Sequence, residues 1–240
     1  MRQGPTSARP IRFSADRLPE ESRAHAPVIE LDRWNPTRTD IPCAEDVDGS
    51  PAPDADDLVY EIDDRGRLAS VSLAWNRFAI ANGASDLRAE NVVGRPFWSF
   101  FEDSDGLIEE HKAMQDRCRA RDQQGTFLLR CDAPQERRML RMWIEPLERG
   151  RFRYTSRTIA VESLDPELYC RLLGVTEPVR VARCSHCNRF RLENEWFEPE
   201  IAVRRDWERY RPGHERAMVH TLCPGCREQL RAVPRLVANH

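Results

Sequence analysis

Two pairs of cysteines near the C-terminus constrain this chain more than any other feature of its sequence. The pairs are Cys184 with Cys187 and Cys223 with Cys226, and residues 188–222 separate them. In each pair the two-residue spacing lets both sulfur atoms face one point, so two pairs can complete a tetrahedral shell of four thiolates. Zn²⁺ prefers this geometry and these ligands. The spacing therefore predicts a zinc site, and because four thiolates leave no open coordination position, the zinc is expected to be structural.

Two histidines lie close to these cysteines in sequence. His186 stands between the first two ligands, and we expect it to be a solvent-facing loop residue. His220 precedes Cys223 by three residues. We expect it to hydrogen-bond a metal ligand from outside the shell, and its alternative role is to replace one cysteine as a ligand. A redox-active dithiol is the main competing interpretation of the cysteine pairs.

Size and composition limit the class of protein. The 240 residues suit one or two domains, and the sequence contains no apolar run of the ~20 residues that a membrane-spanning helix needs. The N-terminus lacks the apolar segment of a signal peptide. We therefore expect a cytoplasmic protein without a membrane partner, in which thiols stay reduced and bind metal. A net charge of −3 gives no general attraction to nucleic acid.

The pattern along the chain predicts an α+β protein with a disordered N-terminal tail. Residues 1–56 are rich in proline and acidic residues and contain few apolar clusters, which is typical of disorder. From residue 57 to 162, alternating apolar residues and turn signals predict an antiparallel sheet with helices beside it. The predicted strands are 58–62, 68–71, 126–132, 138–145 and 151–161. The predicted helices are one capped by Ser72, with Leu73, Trp75, Phe78 and Ala79 facing inward, and one at about 107–121.

Residues 58 to about 161 resemble a PAS domain. The resemblance lies in residues 60–67 (YEIDDRGR), 75–78 (WNRF) and 93–96 (VGRP), and it is greatest to a bacterial subgroup with RCDAP at 130–134. It implies a five-stranded antiparallel sheet with flanking helices that encloses a small cavity. Such domains bind small ligands, dimerise or do both, so the resemblance implies an unknown small ligand and a homodimer or another protein partner.

The C-terminal part also resembles a known module. Residues 163–182 are predicted to be a linker helix, and 183–240 a small zinc-ribbon-like module. Residues 184–191 (CSHCNRFR), Trp196 and 219–226 (VHTLCPGC) are similar to a module found after bacterial PAS and receiver domains. That module usually has serine and glycine at the positions of Val219 and Thr221. The resemblance supports a structural zinc and implies no reaction.

His111 is the candidate cofactor residue of the PAS-like region. It shares one predicted helix face with Leu107, Met114 and Cys118. In haem-containing oxygen sensors of the PAS family a histidine of this helix binds the iron, so the resemblance implies a possible haem ligand here. The competing interpretation is a histidine that simply packs on an apolar helix face.

No phosphate-binding loop, hydrolase elbow or metalloprotease motif is present, and we expect no enzyme activity. The sequence favours a PAS-type signalling protein whose structural zinc module contacts another protein. Two alternatives stay open. One is a transcriptional regulator that binds nucleic acid through a basic aromatic patch, although acidic residues are interleaved with it. The patch consists of Arg204, Arg205, Trp207, Arg209, Tyr210 and Arg211. The other is a redox or gas sensor based on thiols or haem.

Overall fold

The structure is a computed structural model. It describes residues 52–101, 106–132, 136–164, 179–206 and 216–234. Most of the predicted disordered tail, residues 1–51, lies outside the described residues, as do residues 165–178 of the predicted linker helix. No helix within the described ranges is both long enough and apolar enough to span a bilayer.

Five antiparallel strands form the first sheet, as the sequence predicts. Their order across the sheet is β2-β1-β5-β4-β3. The strands are β1 (Leu58–Ile62), β2 (Leu68–Val71), β3 (Gly125–Arg130), β4 (Glu136–Pro146) and β5 (Phe152–Ser163). The central strands β4 and β5 pair along their whole length, with a bulge after Met139. The fold is therefore of mixed α+β type. Strand β1 of the hairpin β1–β2 pairs with β5 of the three-stranded meander β3–β4–β5.

Three helices lie between β2 and β3: α1 (Leu73–Ala81), α2 (Ala89–Val92) and α3 (Leu107–Arg121). The predicted cap is present, because the Ser72 hydroxyl accepts a hydrogen bond from the backbone N–H of Trp75 at 3.3 Å. Leu73, however, does not face inward; it is 79% exposed, whereas Ala74 and Ala79 are buried. Leu73 and Ala74 are neighbours in sequence, and neighbouring side chains of a helix point about 100° apart. When Ala74 and Ala79 face the sheet, Leu73 therefore points to solvent.

The inner face of the first sheet is rich in aromatic rings. Tyr60 and Tyr154, on neighbouring strands, stack with ring centroids 5.0 Å apart, and Phe97 stacks on Tyr60 at 5.3 Å. The buried residues Leu107, Met114 and Cys118 confirm the predicted apolar face of α3. Gln115 of the same helix donates a hydrogen bond to the Tyr154 hydroxyl at 3.0 Å.

The C-terminal region contains a second sheet of four strands in the order β8-β7-β6-β9. Its strands are β6 (Val179–Cys184), β7 (Phe190–Leu192), β8 (Glu195–Phe197) and β9 (Arg216–Thr221), and its helices are α4 (Pro199–Arg205) and α5 (Pro224–Arg231). The pairing of β6 with β9 is parallel and sets Cys184 opposite Thr221. This register brings the loops that follow both strands to the same end of the sheet.

The two regions share one hydrophobic core. Leu222, Leu230 and Val233 of the C-terminal region belong to the same buried cluster as Met114 and Phe127 of the first. Gly125 marks the closest approach. A Cβ atom at this glycine would lie 2.2 Å from the Val233 side chain and 3.0 Å from that of Ile144. The C-terminal region is therefore packed onto α3 and β3 and is not a module joined only by a linker.

This close approach predicts a large effect of Gly125→Ala. The added methyl group overlaps Val233, so we expect a loss of about 1–3 kcal/mol in the free energy of unfolding, measured by denaturant titration. A second variant, Val233→Ala, removes the overlapping methyl groups. The double variant should lose less stability than the sum of the single ones, and strictly additive losses would contradict the proposed contact.

Candidate metal centre and adjoining cavity

The four cysteines of the two pairs converge on one point. Their Sγ atoms all lie within 4.8 Å of one another, and the Sγ atoms of Cys187 and Cys223 are 3.7 Å apart. Sulfur atoms bound tetrahedrally to zinc at about 2.3 Å would be separated by about 3.8 Å. All four residues are buried. The cluster can therefore hold one metal ion, and its donors and spacing are compatible with zinc.

Local backbone structure positions each pair. In the first, Cys184 ends β6, and its carbonyl accepts from the N–H of Asn188 at 3.0 Å. Asn188 adopts a left-handed conformation, with φ of 58°, which closes the turn. In the second, Cys223 caps α5 and accepts from the N–H of Cys226 at 3.4 Å. Pro224 begins that helix, where its missing N–H costs no hydrogen bond.

The four sulfur atoms act on one another, so that the pKa values of Cys184 and Cys223 are lowered and those of Cys187 and Cys226 are raised. The thiols of Cys187, Cys223 and Cys226 donate to the Cys184 sulfur and hold its pKa well below the ordinary value. The backbone N–H of Cys223 also donates to this sulfur, at 3.3 Å. Cys226 shares its proton with Cys184, and this raises the pKa of Cys226. A bound cation takes the place of such shared protons, so metal binding releases them.

The structure corrects the expected position of His186. Its side chain is not solvent-facing but buried, with 3% of the residue exposed. The ring stacks on Phe127 of β3 with centroids 5.6 Å apart, and the backbone N–H of Arg130 donates to the His186 carbonyl at 2.7 Å. The loop would be exposed in an isolated module, but packing of the C-terminal region on the first sheet covers it.

His186 and the haem candidate His111 contact each other. Their Nε2 atoms lie 2.9 Å apart, so one ring donates a hydrogen bond to the other. Burial lowers the pKa of His111 well below its ordinary value, and the neighbouring His186 lowers it further. Burial also lowers the pKa of His186 to about 4, opposed by the charge on Cys184. The Nε2 atom of His111 is hydrogen-bonded to His186, so an iron that binds this atom would have to break the hydrogen bond. The assignment of His111 as a haem ligand stays a prediction.

His220 lies on β9 opposite Arg183 of β6. The cluster of close metal-binding atoms found among the described residues consists of the four cysteines without His220. Instead, His220 belongs to the wall of a cavity. Its predicted hydrogen bond to a metal ligand, and its alternative role as a ligand, stay predictions.

This cavity has a volume of about 750 Å³ and lies between the inner face of the first sheet and the first cysteine pair. Tyr60, Phe127 and Tyr154 of the sheet contribute to its wall, as do His111 of α3 and His186 of the C-terminal region. The volume is in the range of sites that enclose small molecules. Sequence reasoning anticipated a cavity but missed that both regions form it, because nothing in the sequence pairs residue 111 with residue 186.

A buried arginine holds the first cysteine loop against the sheet. Arg130 forms ion pairs with Asp132 at 2.5 Å and with Glu198 at 2.6 Å. Burial alone would lower the pKa of this guanidinium, but the two carboxylates raise it above its ordinary value. Glu198 also accepts from Arg189 of the cysteine loop at 2.8 Å. Arg130 therefore links the end of β3 to the C-terminal region.

A second set of charged contacts joins α3 to α5. Glu110 accepts hydrogen bonds from Arg231 at 2.6 Å and from Arg227 at 3.1 Å. Arg117, two turns further along α3, donates to the carbonyl of Leu230 at 2.7 Å. The Arg117 contact satisfies the Leu230 carbonyl near the end of α5, and together these contacts fix the direction of α5 along α3. Helix α3 thus contributes His111 to the cavity wall and also contacts α5 through Glu110 and Arg117.

One of the solved structures that this chain is similar to comes from Haloarcula marismortui. No family model matches the sequence, and no curated protein matches it. The solved structure is a domain of an HTR-like protein from Haloarcula marismortui, with 12% sequence identity and a TM-score of 0.32. The match covers 44% of this chain and 99% of that domain.

Replacement of one metal ligand tests the cluster. We expect Cys223→Ser to lose the metal, since a serine hydroxyl is a poor fourth ligand in a thiolate shell. Structural zinc contributes on the order of 10 kcal/mol to folding of a metal-dependent unit, so the C-terminal region should lose protection from amide hydrogen exchange. Elemental analysis should find one metal per chain in the wild type. Cys131→Ser, outside the cluster, is the control, and equal metal content in both variants would refute the site.

The Glu110 contacts predict a pH-dependent stability. Hydrogen bonds from Arg231 and then from Arg227 lower the pKa of Glu110, against the opposing effect of burial. A lowered pKa in the folded state means that the carboxylate stabilises the fold fully above its unfolded pKa of about 4.3 and loses this effect as the pH falls through the folded value. Glu110→Gln should therefore cost about 1–2 kcal/mol at pH 7, and the cost should shrink below about pH 4.

The control for this measurement is Glu109→Gln, which changes an exposed carboxylate in the same helical turn. Because metal release in acid affects both variants, the difference between their unfolding free energies isolates the effect of Glu110. A difference that does not change between pH 7 and pH 3.5 would contradict the assigned role.

Proposed function

We propose that this chain is a cytoplasmic, bacterial PAS-type signalling protein. In this proposal the region with the first sheet is the sensor, and a structural zinc ion holds together a C-terminal module that contacts a protein partner, in the first instance a second copy of the chain. The observation that carries the proposal is the shared core and shared cavity wall of the two regions. Any change inside the cavity acts directly on residues of the metal module.

The chemistry of the cysteine cluster supports zinc as the ion. Four buried thiols without a histidine, carboxylate or open position are typical of structural zinc sites. A catalytic zinc would need an exchangeable ligand and a nearby general base. The shell is closed by its own cysteines, which supports a stabilising role for the metal.

The form of the first region supports the PAS assignment made from sequence motifs. A five-stranded antiparallel sheet carries helices between its second and third strands, and the cavity lies on the aromatic inner face. The region follows the order expected from the resemblance: hairpin, short helices, the longer α3 and three further strands. The motif of residues 93–96 lies where Leu68 of β2 donates its N–H to the carbonyl of Arg95.

The state of the buried carboxylates supports a role without catalysis. Asp57 is paired with Arg157 at 2.6 Å, Glu110 with Arg231, and Asp132 with Arg130. A carboxylate whose oxygen atoms are bound by a guanidinium is poorly placed to accept a proton from a substrate. Each of these acids is engaged in holding elements together.

Helix α3 supplies a route for the signal. His111 lines the cavity, whereas Glu110 and Arg117 hold α5 of the metal module. A ligand that shifts α3 would therefore move α5 through contacts on the same rigid helix. This route differs from the predicted linker helix, most of which lies outside the described residues.

An exposed apolar stripe on α1 supports self-association. Leu73 is 79% exposed and Ile80 is 55% exposed, and they lie seven residues apart on one side of the helix. Large apolar side chains at helical spacing are suited to pack against the same stripe of a second copy.

Native mass spectrometry combined with elemental analysis tests the proposal on the full chain. We expect a dimer with one zinc per chain, and we expect Leu73→Glu to produce a monomer that keeps its zinc. Ala81→Glu is the matched control, since it adds the same charge to the same helix at another exposed position. A wild type that is monomeric at micromolar concentration would overturn the self-association, and purified protein with disulfides in place of zinc would favour a thiol switch.

A further inference from the structure

We infer that the cavity is a binding site for an aromatic carboxylate, with the aromatic part against the first sheet and the carboxylate at the wall supplied by the metal module. This inference depends on the proposed function in one respect, the loading of the metal site, because the module that forms the polar wall is built around that site.

The two regions contribute opposite kinds of side chain to the cavity. All residues that the metal module adds to the wall are polar: Arg183, Ser185, His186, Asn188 and His220. The first region supplies mostly apolar and aromatic groups, among them Tyr60, Phe97, Leu107, Phe127, Met142 and Tyr154. A ligand that fills this space must therefore have an apolar body and one polar end.

The rings on the sheet side favour a flat apolar body. Tyr60 and Tyr154 are nearly parallel, at an angle of 3°, and Phe97 stacks on Tyr60 at an angle of 27°. All three rings line the cavity, and another aromatic ring packs against such rings with offset or edge geometry. An aromatic ligand can use these surfaces more fully than a branched aliphatic one.

Charge at the wall favours an anionic or acceptor-rich polar end. Among the described lining residues Asp86 is the one carboxylate, and it is exposed, whereas three arginines are present. Arg130 is buried and pairs with Asp132 and Glu198. Arg183 lies on the module side, directly before Cys184, and a guanidinium is well suited to bind a carboxylate through two parallel hydrogen bonds.

His186 supplies an independent indication of a ligand. It is 3% exposed, and its Nδ1 atom has no hydrogen-bond partner within the described part of the chain. A buried polar atom without a partner destabilises the fold, and a ligand atom that bonds to it removes this cost. If His111 donates to the Nε2 atom of His186, then Nδ1 of His186 carries a proton and is a donor suited to a carboxylate oxygen.

A ligand held in this way would bridge the sensor region and the metal module. Its aromatic part would contact β1, β3 and β5, and its carboxylate would contact the loop between the first two cysteines. Occupancy of the cavity would then stabilise the docked position of the metal module. Loss of the metal would disorder the polar wall and weaken binding of the carboxylate.

Isothermal titration of the zinc-loaded full chain with naphthoate and with naphthamide tests the inference. The two probes have the same aromatic body and differ in the charge of the polar end. We expect naphthoate to bind on the order of tenfold more tightly than naphthamide, the effect of one charge-assisted contact. Equal affinity of the two probes, or no binding of either, would overturn the inference.

Two matched variants test whether the difference in affinity between naphthoate and naphthamide comes from the side of the cavity that the metal module supplies. Arg183→Gln should weaken naphthoate on the order of tenfold and leave naphthamide unchanged. Arg141→Gln is the control, because Arg141 precedes the lining residue Met142 on β4 and faces the opposite side of the sheet. If Arg183→Gln does not change the binding of naphthoate, the assigned wall is wrong.

Elemental analysis and native mass measured on the same samples separate this inference from the proposed function. Zinc-loaded, dimeric protein that binds neither probe refutes the carboxylate site and leaves the signalling proposal standing. Protein without zinc refutes the metal assignment on which both depend.

Discussion

The convergence of four cysteine sulfur atoms at one buried point is the constraint on which the rest of this structure depends. Without a cation, four sulfur atoms within 4.8 Å would have to share protons, and only a few of them could be ionised. With a cation, the ends of β6 and β9 are fixed to the start of α5. That fixed corner presents the loop of residues 185–188 to the first sheet, and the shared core and the cavity follow from it.

Buried charge fixes how the metal-binding corner meets the sheet. Arg130 and Glu110 each lie at the boundary, and each is surrounded by groups of opposite charge. Such pairs add little net stability, because removing the charges from water costs about as much as their attraction returns. They do penalise other arrangements, since a shifted module would leave a buried charge without its partner. We interpret them as determinants of docking geometry more than of stability.

Local sequence signals predicted the elements of this protein well. Apolar alternation located the strands, Ser72 marked the start of α1, and the cysteine spacing predicted the cluster of four thiols. The exceptions have a common cause. Leu73 and His186 were placed by local pattern alone, and packing with the rest of the chain turned Leu73 outward and buried His186. Burial depends on what covers a residue, and the covering residues are distant in sequence.

The sequence by itself determined which residues can bind the metal and which segments form strands and helices, because both depend on spacing over a few residues. Only the tertiary structure decided that His111 meets His186 and that Glu110 meets Arg231, pairs separated by 75 and 121 residues. It also decided that one cavity has an aromatic wall from one region and a polar wall from the other. Such contacts arise from the docking of two surfaces, and no local pattern in the chain encodes that docking.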